Sequence, residues 1–242
     1  MDEHRTAIVT GAGKRVGADI AGALLARGWT VLAHVHREND EVPSGARAVA
    51  ADLAAADCAQ RIFAAAKDLP PVRLLVNNAA RFAWDSFGEF SGEEFDAHMH
   101  ANVRAPLLLI EALAIQHRDG DALAVNILDS KLSAPNPDFL SYTVSKQALC
   151  GATELAARAL ASKGIRVNAI APALMLQSPG QSEENFKAMH RRNPLGRGVT
   201  SADLIAAIDY LLAAGTVTGE VLTIDGGLRF DPPGRDVQFL EH

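Results

Sequence analysis

Tyr142 and Lys146 stand four residues apart in a stretch of helical periodicity, which puts a phenol and an ammonium one turn apart on one face. A phenol with an ordinary pKa of about 10 exchanges protons poorly at neutral pH. A neighbouring ammonium favours its ionised form and makes it a usable general acid. Asp129 lies thirteen residues before Tyr142. A carboxylate close to a phenol raises the phenol's pKa and so opposes the lysine. A buried, protonated Asp129 could also pass a proton on through Tyr142. The other reading of this position has Asp129 capping a strand end while the adjacent Ser130 supplies a hydroxyl.

A second constellation opens the chain. A β-rich run leads into Thr10-Gly11-Ala12-Gly13-Lys14-Arg15-Val16-Gly17, and a helical pattern follows. Glycines permit a tight turn and a close approach of phosphate to backbone. The amides at the helix start then face the anion. After a first strand and before a first helix, this is the arrangement of a dinucleotide site. His36 and Arg37 follow the second strand, where an NAD site would place a carboxylate for the ribose hydroxyls. A cation there selects the extra 2′-phosphate of NADP(H), and Lys14 and Arg15 are a second basic pair for the same group. Glu38 opposes this by repulsion. With a nicotinamide present, the hydride chemistry belongs to the cofactor and the protein supplies orientation.

These groups must be held by a scaffold, and the pattern names one. Strands are expected at 7–10, 31–35, 46–51, 74–77, 123–128, 166–170 and 221–224. Helices are expected at 16–27, 53–67, 92–117, 142–163 and 201–213, with Ser91 and Glu94 spaced as a capping box. The alternation predicts a single α/β domain over 1–242: a Rossmann-type, doubly wound, seven-stranded parallel sheet with helices on both faces. Residues 173–200, with Pro179 and Gly180, have weak periodicity and read as a substrate lid. The tail, 231–242, with Pro232, Pro233 and Gly234, reads as irregular.

Of the 242 residues, 48% are hydrophobic and 21% charged, which excludes a largely disordered or fibrous chain. A net charge of −6 leaves no basic footprint for nucleic acid. No apolar run approaches the ~18 residues of a membrane span, and Met1 to Arg5 have no apolar core for a signal peptide. Cys58 and Cys150 form no close-spaced motif, so the expected setting is cytoplasmic. His98 and His100 face different ways on a helix and have no third ligand, so no metal is expected. The basic stretch Lys187, His190, Arg191 and Arg192 reads as a solvated face.

Taken in order, the motifs resemble the short-chain dehydrogenase/reductase family over about residues 5–228. They are the glycine turn, Ala51-Asp52-Leu53, Asn77-Asn78-Ala79-Ala80, Asn102, Tyr142-x-x-x-Lys146, Arg166-Val167-Asn168 with Pro172, and Ile224-Asp225-Gly226-Gly227. Within that family the chain is most similar to pteridine reductases. The shared marks are Arg15 in the glycine turn, His34-x-His36-Arg37, the aromatic Phe82 after the Asn-Asn-Ala motif, and Asp129 where most relatives have serine. It departs from them at Ala80, where a hydroxyl is usual, and at Arg81, a charge near the pocket.

The resemblance implies an NADPH-dependent reductase acting on a pterin or related flat heterocycle at C=N. A general carbonyl reductase or alcohol dehydrogenase is the alternative, and a non-catalytic redox sensor is the alternative of another class. It implies catalytic roles for Asp129, Tyr142, Lys146 and Asn102, the last in a proton relay. Phe82, Asp129 and Tyr142 would meet the substrate. Gly11, Lys14, Arg15, Val16, His36, Arg37, Asp52, Leu53, Asn78, Ala79, Lys146 and Pro172 would meet NADP(H), with Lys146 on the nicotinamide ribose. A homotetramer is also implied.

Overall fold

The computed structural model describes residues 4–178 and 180–240. Met1 to Glu3, Pro179 of the expected lid, and the last two residues of the expected tail lie outside the described residues.

Seven short runs rich in Val, Ile, Leu and Ala form seven parallel strands. These are β1 (Thr6–Val9), β2 (Thr30–Val35), β3 (Arg47–Ala50), β4 (Val72–Asn77), β5 (Ala122–Ile127), β6 (Ile165–Pro172) and β7 (Val221–Ile224). The sheet order is β3-β2-β1-β4-β5-β6-β7. Chain direction along the sheet reverses between β1 and β4, so a crevice opens at their carboxyl ends. Because every strand is parallel, the residues that follow β1, β4, β5 and β6 all emerge on one edge. That edge receives Gly11, Asn78, Asp129 and Pro172.

Both faces are covered. α1 (Arg15–Ala26) and α7 (Ser201–Ala213) bury Ile20, Leu24, Leu204, Ile208 and Leu211 against one side. α2 (Cys58–Ala65), α4 (Ala105–Gln116) and α5 (Leu140–Leu160) bury Ile62, Phe63, Leu109, Leu113 and Leu160 against the other. The doubly wound α/β fold is therefore the one the alternation predicts.

The differences from expectation are local. The helix expected over 53–67 starts only at Cys58, because the Asp52 carboxylate accepts from the Ala54 amide and holds a turn there. The single helix expected over 92–117 is two, α3 (Gly92–Met99) and α4, joined by one π-helical turn, His100–Arg104. Ser91 caps α3 through the Glu94 amide, but the Glu94 side chain pairs with Arg81 instead of closing the box. The complete capping box is at Thr200 and Asp203 of α7. The segment 173–200 contains a helix, α6 (Glu183–His190), capped by Ser182. Its two turns are too short for a periodicity to stand out. The tail is mostly irregular but ends in a 3-10 turn, Val237–Phe239, packed near α6.

Candidate active site

The glycine turn is shaped by close approaches. Gly11 has φ +67°, a conformation that favours glycine, and a Cβ there would meet Ala79 at 3.1 Å. At Gly17 a Cβ would lie 2.1 Å from the Gly11 carbonyl oxygen, so α1 can start this close to the turn only with glycine. Thr10 Oγ1 accepts from the amides of Asn78 and Ala79, both at 3.0 Å. The Asn78 amide group donates to the Thr10 carbonyl at 2.9 Å. These bonds tie the end of β4 to the end of β1.

His34, buried in β2, completes the cradle. The Gly11 amide donates to its Nδ1 at 3.2 Å, and its Nε2 faces the Ala51 carbonyl at 2.9 Å. With Nδ1 an acceptor, the Nε2 hydrogen points to Ala51, and the ring is neutral. Burial lowers its pKa, which the Ala51 bond only partly offsets. The sequence offers His34 only as a mark of the resemblance and assigns it no role; the signal for one is a histidine inside a strand that is mostly apolar.

The first turn of α1 has no side-chain cap and no acidic residue. Its amides point out of the glycine turn, which is the donor set a phosphate needs. A dinucleotide phosphate therefore fits. Arg15, with φ +53°, sends its guanidinium to the Gln177 carbonyl at 3.1 Å, towards the expected lid. Lys14 is exposed beside it. Val16 turns into the core. His36 and Arg37 are exposed beyond β2, and the Arg37 amide is capped by Asp40. Asp52 is exposed on the same edge, Leu53 packs in the core, and Pro172 is buried at the end of β6.

The other half of the site lies after β5. Asp129 caps the 3-10 turn Ser130–Ser133 with one oxygen, accepting from the Lys131 amide at 2.8 Å. Its other oxygen accepts from the Tyr142 hydroxyl at 3.1 Å. The two readings of Asp129 thus meet: it is a cap and it faces the phenol. Ser130 is buried one position out of register.

Burial lifts the Asp129 pKa above the ordinary carboxyl value; the bonds from Lys131 and Tyr142 offset part of this. Tyr142 is raised well above 10, first by burial and then by the Asp129 charge. The expectation that Lys146 would lower the phenol is therefore corrected: desolvation and the carboxylate win, and Tyr142 is held neutral. The Lys146 ammonium donates to the Ile127 carbonyl at 2.6 Å, and burial brings its pKa down to about 8.

Asn102 sits in the π-helical turn, which redirects its side chain. Its Oδ1 accepts from the Arg81 amide at 2.7 Å, and its Nδ2 donates to the Arg81 carbonyl and to Ser145 Oγ at 3.0 and 2.9 Å. Both amide hydrogens are used, so Asn102 holds the Asn-Asn-Ala loop against α5. Arg81 itself forms a two-pronged pair with Glu94, both contacts 2.6 Å, which turns its charge towards α3. His98 is buried, in contact with the Glu94 carbonyl and the Ala83 amide.

Phe82 stacks on Phe139 at 4.3 Å and meets Tyr142 edge-on at 4.8 Å. It remains 41% exposed. Asp85, buried and unremarked in the sequence, caps the start of α5 by accepting from the Ser141 amide at 2.9 Å and from the Ser141 hydroxyl.

A cleft of about 820 Å³, measured out to its open mouth, begins at Asp129. Lys131, His190, Arg192, Arg229 and Asp236 are among its other walls. Lys187 is solvated and paired with Glu183, but His190 and Arg192 turn towards this cleft, so the basic stretch is not wholly a solvated face. Among the described residues no group of His, Cys, Asp and Glu could hold a metal ion.

Comparison with known proteins places this geometry. Residues 11–229 match the family model described as enoyl-(acyl carrier protein) reductase. An L-xylulose reductase from Mesocricetus auratus is 32% identical, over 92% of this chain and 96% of its own. Pteridine reductase 1 from Leishmania tarentolae is 31% identical, over 91% and 95%. A crystal structure of FolM alternative dihydrofolate reductase 1 from Brucella suis, in complex with NADP, superposes with a TM-score of 0.89. It is 34% identical, over 95% of this chain and 97% of that one.

Proposed function

The chain belongs to the short-chain dehydrogenase/reductase family and is a nicotinamide-dependent reductase, and on that premise we propose that it uses NADPH to reduce a pterin or related flat heterocycle at a C=N bond. The observation that carries the substrate class is the Asp129 carboxyl bonded to the Tyr142 phenol, where a carbonyl reductase would use a serine hydroxyl. The pteridine reductase and the dihydrofolate reductase among the similar proteins support it.

When bound, NADPH supplies a hydride; the rest is done by this chain. In this reading the uncapped amides of α1 and the glycine turn hold the phosphates, with Gly11, Lys14, Arg15 and Val16 forming the turn. His36 and Arg37 neutralise the 2′-phosphate. Asp52 and the backbone at Leu53 would meet the cofactor at the same edge, Asn78, Ala79 and Pro172 would line the nicotinamide end, and Lys146 would hold its ribose. Phe82, which remains exposed, stacks on the heterocycle in this reading, an interaction worth ~0.5–1.5 kcal/mol beyond area burial. Tyr142, neutral at working pH, gives its proton to the ring nitrogen as the adjacent carbon is reduced. Asp129 orients the phenol and, protonated, returns the proton. Asn102 acts by holding the loop at Arg81.

The chain also exposes Leu107 and Ile115 on α4 and Leu155 on α5, apolar surface that a homotetramer would cover. Light scattering of the purified protein tests this. Cys58 and Cys150 are unpaired thiols, in keeping with a cytoplasmic setting.

The deciding experiment is NADPH consumption with dihydrobiopterin and dihydrofolate beside a panel of ketones, L-xylulose included. Turnover of the pterins supports this reading. Turnover of ketones alone discards it in favour of a carbonyl reductase, a class to which the chain is about as similar.

A further inference from the structure

The loop from Asp129 to Ser141 joins the carboxyl to the helix that carries Tyr142, so its shape sets the separation of carboxyl and phenol. Its inner ties are the Lys131 amide on Asp129, the Lys131 ammonium on the Asp138 carbonyl, and Asp85 on Ser141. Its outer tie comes from the far end of the chain. Arg235 donates from Nε and a terminal nitrogen to the two Asp138 oxygens at 2.7 and 2.8 Å. The Asp236 amide donates to the same carboxylate at 2.8 Å, and the Asp236 carboxylate lies 3.7 Å from the Lys131 ammonium.

A column of rings runs alongside. Phe239 stacks on Phe139 at 6.1 Å, Phe139 on Phe82, and Phe82 abuts Tyr142. Phe139 begins α5 with φ +55°, a costly conformation for an aromatic residue, so the packing around it must hold it. Asp138 is buried, and a buried carboxylate stripped of its partner is strongly unfavourable. The tail is therefore a clasp, not a loose end.

We propose that Arg235 and Asp236 are positioning residues of the active site, which clasp Asp138 and Lys131 and so hold the Asp129 carboxyl against the Tyr142 phenol. This rests on the reading of that pair as the proton donor. The charged and titratable groups facing Asp129 are Tyr142 and Lys146 on α5, Lys131 on its own turn, and Asp236 from the tail.

The test compares wild type with Arg235→Ala, Arg235→Lys and Asp236→Asn. The readouts are amide hydrogen exchange over 130–141, the pH profile of kcat, kcat/KM, and NADPH affinity by fluorescence. Arg235→Ala is expected to speed exchange in this loop, to lower kcat/KM roughly tenfold, and to leave NADPH affinity within about twofold, since the Arg235 guanidinium bonds Asp138 and no residue of the glycine turn. As water reaches Asp129, the limb of the profile that it governs moves to lower pH. Arg235→Lys, keeping charge but not the fork, falls between.

Unchanged exchange and an unchanged profile in Arg235→Ala would overturn the clasp. If that variant does not fold, Asp236→Asn and Phe239→Ala are read by the same criteria. If wild type reduces ketones and no pterin, the substrate reading fails and the clasp is judged on ketone turnover. If it reduces neither, loop exchange and the infrared titration of the Asp129 carboxyl decide.

Discussion

The Tyr142 hydroxyl donates to an Asp129 oxygen at 3.1 Å, and the other oxygen of the same carboxylate caps the turn that follows β5. One side chain thus fixes its own backbone and addresses the phenol. That double use makes the carboxyl rigid, and burial raises the pKa of both partners. Replacing Asp129 by Ser shortens the side chain and removes the proposed proton carrier. Pterin kcat/KM is expected to fall about 10²-fold, or ~3 kcal/mol, while ketone turnover stays level or improves. Steady-state assays on both substrate classes check it.

Lys146 titrates at about 8 in the fold and at 10.5 in an unfolded chain. Between those values the unfolded chain holds a proton that the folded protein has released, so this group makes stability rise with pH across that window. NADPH binding should run the other way. On the proposed role of Lys146 at the ribose, the ammonium is lost above pH 8, and Kd is expected to rise up to about tenfold per unit there. Fluorescence titrations from pH 7 to 9.5 show this, and Lys146→Met should bind weakly with no inflection near 8.

His34 holds the glycine turn only while Nδ1 is free of a proton. Its folded pKa lies below the ordinary 6.5, so below 6.5 the unfolded chain binds the proton more readily and stability falls as pH drops. Thermal melts from pH 7.5 to 5 are expected to slope down towards acid in wild type and to be flatter in His34→Gln. That variant should lose about 1 kcal/mol at pH 7.5, as the partly buried Gly11 amide loses the imidazole acceptor.

Two glycines of α1 make a matched pair. Gly17→Ala drives a methyl group to 2.1 Å from the Gly11 carbonyl, and backbone must move. It should cost more than ~2 kcal/mol and abolish NADPH binding. Gly22, whose Cβ direction is open space, should accept Ala with a gain of about 0.5–1 kcal/mol. Denaturant melts and NADPH titrations of the two variants separate turn geometry from helix propensity.

The sequence by itself determined the fold class, because strand and helix periodicities alternate and a parallel sheet follows from that alternation. It also brought out the chemical groups: the glycine turn and Tyr142 with Lys146 can be read from residue type and spacing, and Asp129 stands out through the resemblance to pteridine reductases. The sign of the tyrosine shift was decided by tertiary structure, since the depth of burial of phenol and carboxyl outweighs a lysine that sequence spacing alone would credit. So was the π-helical turn that aims Asn102, because one extra residue in a turn leaves the hydrophobic pattern nearly intact. His34, Asp85 and the Arg235–Asp138 clasp depend on contacts 17 to 97 residues apart in the chain. No local pattern encodes such distances; only the packed chain brings those groups within reach of each other.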